Sequence, residues 1–328
     1  MITSIGIIGQ NKKSVPPVLS AAVLLASIFI LFFVSPIPAQ TPNVPVIGDP
    51  LNAAVPPTPK KLVLPKKINL TNDILIGNYF RYIDSLVTHY DSLVPYHLTE
   101  HLLVSANPWI IDTLANTDYY RMKARDSFVY DQKKLVALPR GNPLLLPDSA
   151  TAIRLQYELD QRWIDVNIPE FKMRIYRDSA LLFTFPVRVG QNKKRYLAFG
   201  DRITDLRTKT GQGKIVGYVK NPDYYNPVNG KRYHVTRRDD ALTTLLPQIP
   251  FIDTEIDGAR NGQMIHATTN PETLGKAYSN GCIGTKESDA WIIYYNVPVG
   301  TPIHIRYDLM VRDEFGQEQR LKDIYGNG

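Results

Sequence analysis

The sequence predicts a mainly β domain, a β-sandwich with one helix toward its C-terminal side, preceded by a small, mainly helical N-terminal domain. Three observations carry this. After Trp163, apolar and polar residues alternate in short runs separated by turn residues, the period of strands with one buried face. Between residues 76 and 94 apolar residues instead recur at spacings of four and three, as they do along one face of a helix. Residues 36–65 carry nine prolines and little periodicity, which marks an extended linker.

The totals agree with a folded chain. It has 328 residues, 44% hydrophobic and 21% charged, enough for one large or two modest domains. The net charge of +7 is mild and no dense Lys/Arg block occurs, which argues against a nucleic-acid partner and suits an anionic surface such as cell wall or phospholipid. Residues 1–40 read as a signal peptide or membrane anchor. Lys12 and Lys13 precede an apolar run over residues 18–34, broken only by Ser20 and Ser27. That run is long for a signal core and short for a membrane span. Ile37-Pro38-Ala39 offers a cleavage site, so the chain is expected to be exported, to the periplasm or cell envelope, either released or held at the inner membrane through residues 18–34. Residues 41–69 form the linker.

In the 70–150 region, Thr71 or Asn72 is the expected cap of a helix carrying Ile76, Phe80, Ile83, Val87, Tyr90 and Val94 on one face and ended by Pro95. Asp84-Ser85-Leu86-Val87 recurs as Asp91-Ser92-Leu93-Val94, but the echo spans under three heptads, so one amphipathic helix is preferred to a coiled coil. A second helix is expected over residues 99–105. A third is launched over residues 109–120 by Asn107-Pro108. Short strands are expected at 128–130, at 135–138 and within 138–147. Of His89, His97 and His101 only His97 and His101 could share a helix face, Pro95 interrupts the run and no Cys lies near, so a metal site is not expected here. Strands follow at residues 164–168, 171–175, 181–190, 215–219, 264–266 and 302–307. A helix over 289–295, capped by Thr285 or Ser288, stops before Pro298. Residues 309–328 are a C-terminal tail.

The chemistry centres on Cys282, the chain's single cysteine, in Ser279-Asn280-Gly281-Cys282-Ile283-Gly284. Exported proteins usually pair their cysteines, so a lone one is either an inert buried thiol or a nucleophile. Gly281 and Gly284 favour a tight turn open to substrate. A nucleophilic thiol needs a base and oxyanion donors. His266, at a strand end sixteen residues earlier, and the backbone N–H groups of Asn280, Gly281 and Cys282 are the candidates. The start of the next helix would favour the thiolate. His304 sits mid-strand between Ile303 and Ile305 and is read as facing outward or structural.

Taken in order, several segments resemble the YkuD-type L,D-transpeptidase domain: Ile265-His266-Ala267-Thr268-Thr269, Leu274-Gly275, the Ser279–Ile283 box, Asp289 opening a helix, and Val299-Gly300-Thr301-Pro302-Ile303. The strands from Trp163 to Gly190 and the segment Thr208-Lys209-Thr210-Gly211-Gln212-Gly213 extend the likeness, which covers residues 160–308. Residues 135–147 are faintly similar to small wall-binding modules, making 70–150 a candidate accessory wall-binding domain. The resemblance implies a peptidoglycan L,D-transpeptidase without metal or cofactor, acting on donor and acceptor stem peptides. Cys282 would attack the carbonyl before a terminal D-Ala and form a thioester. An acceptor amine would resolve it into a 3→3 cross-link. His266 would be the base, Gly281 and Cys282 the oxyanion donors, Ala267-Thr268 the imidazole's orienting group and Ser279 the loop's brace. Two positions depart from the family pattern: the box histidine is Asn280, and the arginine two residues after the cysteine is Gly284. Arg188, Arg195, Lys276 and Lys286 are the candidates to replace that arginine as an anchor for a substrate carboxylate. A hydrolase on the same thioester path and a non-catalytic wall-binding protein are the alternative readings.

Overall fold

The computed structural model describes residues 6–7, 66–198, 200–313 and 315–326. The expected signal or anchor (residues 6–7 apart), its apolar run 18–34 and most of the 41–69 linker lie outside these residues. Among the described residues no helix is long and apolar enough to cross a membrane. Residues 64–328 belong to one compact unit.

The period-two segments form one mixed, near-barrel sheet of eight strands: β1 (Arg162–Asn167), β2 (Lys172–Arg177), β3 (Ala180–Pro186), β4 (Gly211–Val219), β5 (Phe251–Ile256), β6 (Met264–Ala267), β7 (Ile283–Thr285) and β8 (Pro302–Arg306). Their spatial order is β7-β6-β5-β4-β8-β1-β2-β3. Two neighbouring pairs run parallel, β6 with β7 and β8 with β1. Ile164, Val166, Met173, Ile175, Ile265, Ile283, Ile303 and Ile305 point into the core and are essentially buried. On β1 the intervening Asp165 is buried too, because Arg306 on β8 clasps it at 2.7 and 3.0 Å.

The helical region consists of α1 (Ile76–Asp91), α2 (Glu100–Ser105), α3 (Trp109–Ala115), α4 (Tyr119–Lys123) and α5 (Ser149–Asp160); α6 (Glu287–Asn296) follows β7. Trp291, Ile293, Tyr294 and Tyr295 of α6 are all buried, because the helix packs against β6 and also against α2 and α3. Phe80 stacks on Trp291 at 5.9 Å, and the Tyr79 and Tyr295 hydroxyls meet at 2.5 Å. Glu100 accepts from Tyr295 at 2.7 Å and from Tyr294 at 3.2 Å, and pairs with Lys220 of the loop after β4 at 2.6 Å. The helical region and the sheet therefore share one hydrophobic core.

Several local expectations change. α1 starts at Ile76, not after Thr71 or Asn72, because Ile74–Leu75 is held extended against Val136–Leu138. The helix expected over 109–120 is two: α3 ends at Ala115, and Asp118 recaps the chain by accepting from the N–H groups of Tyr120 and Arg121. No strand forms at 128–130. α5 was not anticipated. It has a clear cap, Asp148 accepting from Thr151, but it buries only Ala152 and Leu159. The segment after residue 308 folds into a hairpin, Met310–Arg312 with Glu318–Arg320. It ends with Tyr325 stacked on Tyr307 and donating to Gly190 O at 2.7 Å.

Candidate active site

The parallel pairing of β6 and β7 sets the geometry. Ile265 lies opposite Ile283 and His266 opposite Gly284. Cys282 is therefore at the mouth of β7, one strand away from His266. The cysteine loop is clamped from below. Thr208 Oγ1 donates to Gly281 O at 2.9 Å while accepting from Gly190 N at 2.8 Å. A Cβ at Gly190 would stand 2.0 Å from Leu206 O, so only glycine fits there. The segments around Gly190 and Thr208 thus support the loop that carries the thiol. Gly281 has φ +109°, a backbone geometry that favours glycine.

His266 is buried. Its Nδ1 donates to Ala267 O at 2.8 Å, which leaves Nε2 as the lone-pair nitrogen. Phe251 packs on the ring at 4.9 Å. Burial, reinforced by the charge of Arg188, lowers its pKa to about 4, with the Ala267 carbonyl opposing. The imidazole is therefore neutral at physiological pH. Cys282 is half-buried, and its Sγ donates to Gly262 O at 3.8 Å rather than to the imidazole. Burial dominates and holds the Cys282 thiol above its usual pKa, with Asp253 adding to the rise and the Met264 backbone and Arg188 opposing it.

The remaining predicted residues fall around this pair. Ser279 Oγ donates to Cys282 O at 2.6 Å and accepts from Gly281 N at 3.2 Å. It spans the loop, and in the resting state it occupies one of the expected oxyanion donors. Thr268 is buried; its N–H binds Thr285 O at 2.8 Å and its hydroxyl accepts from Asn270 N at 3.2 Å, so the imidazole is oriented by the Ala267 carbonyl and not by this hydroxyl. The helix after the box does not serve the thiol. α6 begins at Glu287 behind Lys286 without a side-chain cap, so neither Thr285 nor Ser288 caps it. The Ser288 N–H in its first turn is taken by Asp118 at 2.9 Å.

The segment 221–233 forms a hairpin that reaches the site through Phe251, the residue packed on the His266 ring. Tyr224–Tyr225 pairs with Arg232–Tyr233, and Tyr224 packs edge-on against Phe251 at 5.4 Å. Of the proposed arginine replacements, Arg195, Lys276 and Lys286 are exposed and Arg188 is buried. Asn280 keeps both side-chain polar atoms buried without a partner. An unsatisfied buried amide costs about 1–3 kcal/mol. Asn280→Leu is therefore expected to leave unfolding stability unchanged or raise it by about 1 kcal/mol, measured by urea denaturation. A loss of stability would show that the amide is satisfied in solution.

A family model for the YkuD L,D-transpeptidase catalytic domain matches residues 161–305. The probable L,D-transpeptidase ErfK/SrfK of Escherichia coli (strain K12) is 25% identical over 173 residues, 50% of this chain and 52% of that protein, so the match spans about half the length of this curated relative. Among solved structures, an L,D-transpeptidase from Mycobacterium smegmatis is similar at 17% identity, covering 44% of this chain and 58% of its own, with a TM-score of 0.31. Residues 123–326 of an L,D-transpeptidase from Xylanimonas cellulosilytica align over 74% of this chain and 99% of that one at 9% identity, with a TM-score of 0.33.

Proposed function

From the YkuD L,D-transpeptidase catalytic domain present at residues 161–305, we propose that the protein is a peptidoglycan L,D-transpeptidase of the cell envelope working through a Cys282 thioester. The observation that carries this is the His266 tautomer. With Nδ1–H fixed on Ala267 O, Nε2 is a neutral, lone-pair base one strand away from the thiol. Cys282 rotates off Gly262 O and gives its proton to Nε2, and its sulfur adds to the stem-peptide carbonyl. The C–N bond to D-Ala breaks, and the imidazolium returns the proton to the leaving amine. The acceptor amine then adds to the thioester, Nε2 takes its proton, and the thiol is restored. The Cys282 N–H carries the oxyanion, joined by the Gly281 N–H once it leaves Ser279 Oγ.

The test is product analysis with purified disaccharide-tetrapeptide donors. Cross-linked dimers with released D-Ala are expected, and Cys282→Ala is expected to form none. Tripeptides without dimers would assign the same site to hydrolysis. Turnover equal to wild type in Cys282→Ala would sink the thioester mechanism.

A further inference from the structure

Arg188 reaches the cysteine loop from outside it. Its backbone exchanges both hydrogen bonds with Gly284, at 2.9 and 3.0 Å. The side chain then lies across the Gly284 α-carbon. A Cβ at 284 would stand 2.5 Å from Arg188 Nε and 2.7 Å from its Cγ. Nothing in the backbone demands glycine there, since Gly284 is not among the positive-φ residues; the guanidinium does. Nη1 donates to Thr273 Oγ1 at 3.2 Å, and Nε is buried without a partner. The residue is only 4% exposed. Among the described residues no carboxylate forms an ion pair with it. Asp239, the acid that acts on it, is already bound by Asn270 Nδ2 and Glu272 N at 2.9 Å each. A buried, under-partnered guanidinium is costly to keep unless an anion forms beside it.

We propose that Arg188 is the positioning residue that holds the Cys282 thiolate, its guanidinium filling the space that a side chain at position 284 would otherwise occupy. This rests on the reading of Cys282 as the nucleophile. The titratable groups around the two are His266 on β6, Asp253 on β5, Tyr278 before the loop, Tyr233 of the 221–233 hairpin and Asp239. Arg188 is the fixed positive charge of that set. Its positive charge favours the thiolate over the thiol.

The experiment is the pH dependence of Cys282 alkylation by iodoacetamide, read by intact mass. It needs no peptidoglycan, and the single cysteine gives one adduct. Arg188→Ala is expected to move the alkylation midpoint up by about one pH unit, which slows labelling at neutral pH about tenfold. Arg188→Lys should fall between. Gly284→Arg alone should clash with Arg188 and lose stability, while Arg188→Ala/Gly284→Arg should recover the wild-type midpoint. Should Arg188→Ala not fold, Arg188→Met keeps the volume and removes the charge. An unchanged midpoint in a folded, charge-free variant overturns the proposal. So does a double variant of native thermal stability that fails to recover. Separately, the expected Arg188→Ala shift with no turnover of tetrapeptide donors by the wild type would reject the transpeptidase reading and leave the role of Arg188 standing.

Discussion

A His266→Gln variant is expected to lose about 10²- to 10⁴-fold in the rate at which Cys282 is acylated, the usual contribution of one general base. Gln keeps a side chain that can bond Ala267 O but cannot take the thiol proton. Because burial and Arg188 hold the imidazole's pKa near 4, the wild-type rate should not fall through pH 6.5 as an ordinary histidine would dictate. It should hold down to about pH 5 and drop near pH 4, where the base becomes protonated. The same shift is linked to folding. Below pH 6.5 the unfolded chain takes up a proton that the folded site refuses until about pH 4. Stability contributed by the neutral site is therefore lost as pH falls through that window, by about 3 kcal/mol. Single-turnover acylation by a carbapenem, followed by mass at each pH, reads the first effect, and urea midpoints read the second. A Gln variant within threefold of wild type, or an acid limb at pH 6.5, would remove His266 from the base role.

Much of this site was legible because its signals are local. The strand carrying His266 and the glycines framing Cys282 are written into contiguous residues, and the ordered segments resemble the domain whose family model matches residues 161–305. What was not legible depends on contacts between distant segments. Thr71 and Asn72 look like caps, yet strand pairing of Ile74–Leu75 with residues 136–138 delays α1. α5 hid because Ile153 and Tyr157 are exposed, which blurs its helical period even though Asp148 caps it. The helix after the box looked available to the thiol, but Asp118, some 170 residues earlier in the chain, takes the Ser288 N–H. Four cations were equal candidates in the sequence. The structure separates them by burial, Arg188 alone being enclosed, and by the register that sets it opposite Gly284.

The largest stability effect is expected far from the thiol, at Arg238 and Glu287. Their charged groups form an ion pair with side chains 0% and 1% exposed. Each is further bound: Arg238 Nε donates to Thr244 at 2.8 Å and Nη2 to Gln132 at 3.0 Å, while Glu287 Oε2 accepts from Tyr119 N at 3.0 Å and Gln132 Nε2 at 2.8 Å. The guanidinium also lies 4.3 Å over the Tyr119 ring. One network therefore joins the start of α4, the turn at Gln132, the loop at 238–244 and the first residue of α6, five positions after Cys282. Removing either partner strands the other charge in a dry interior, so Arg238→Ala and Glu287→Ala should each cost about 3–5 kcal/mol. The apolar pair Arg238→Met/Glu287→Leu should cost much less than their sum, since it leaves no bare charge. A denaturant-based double-mutant cycle measures this. Additive losses would mean that the pair is hydrated and that α6 is held by its aromatic face alone.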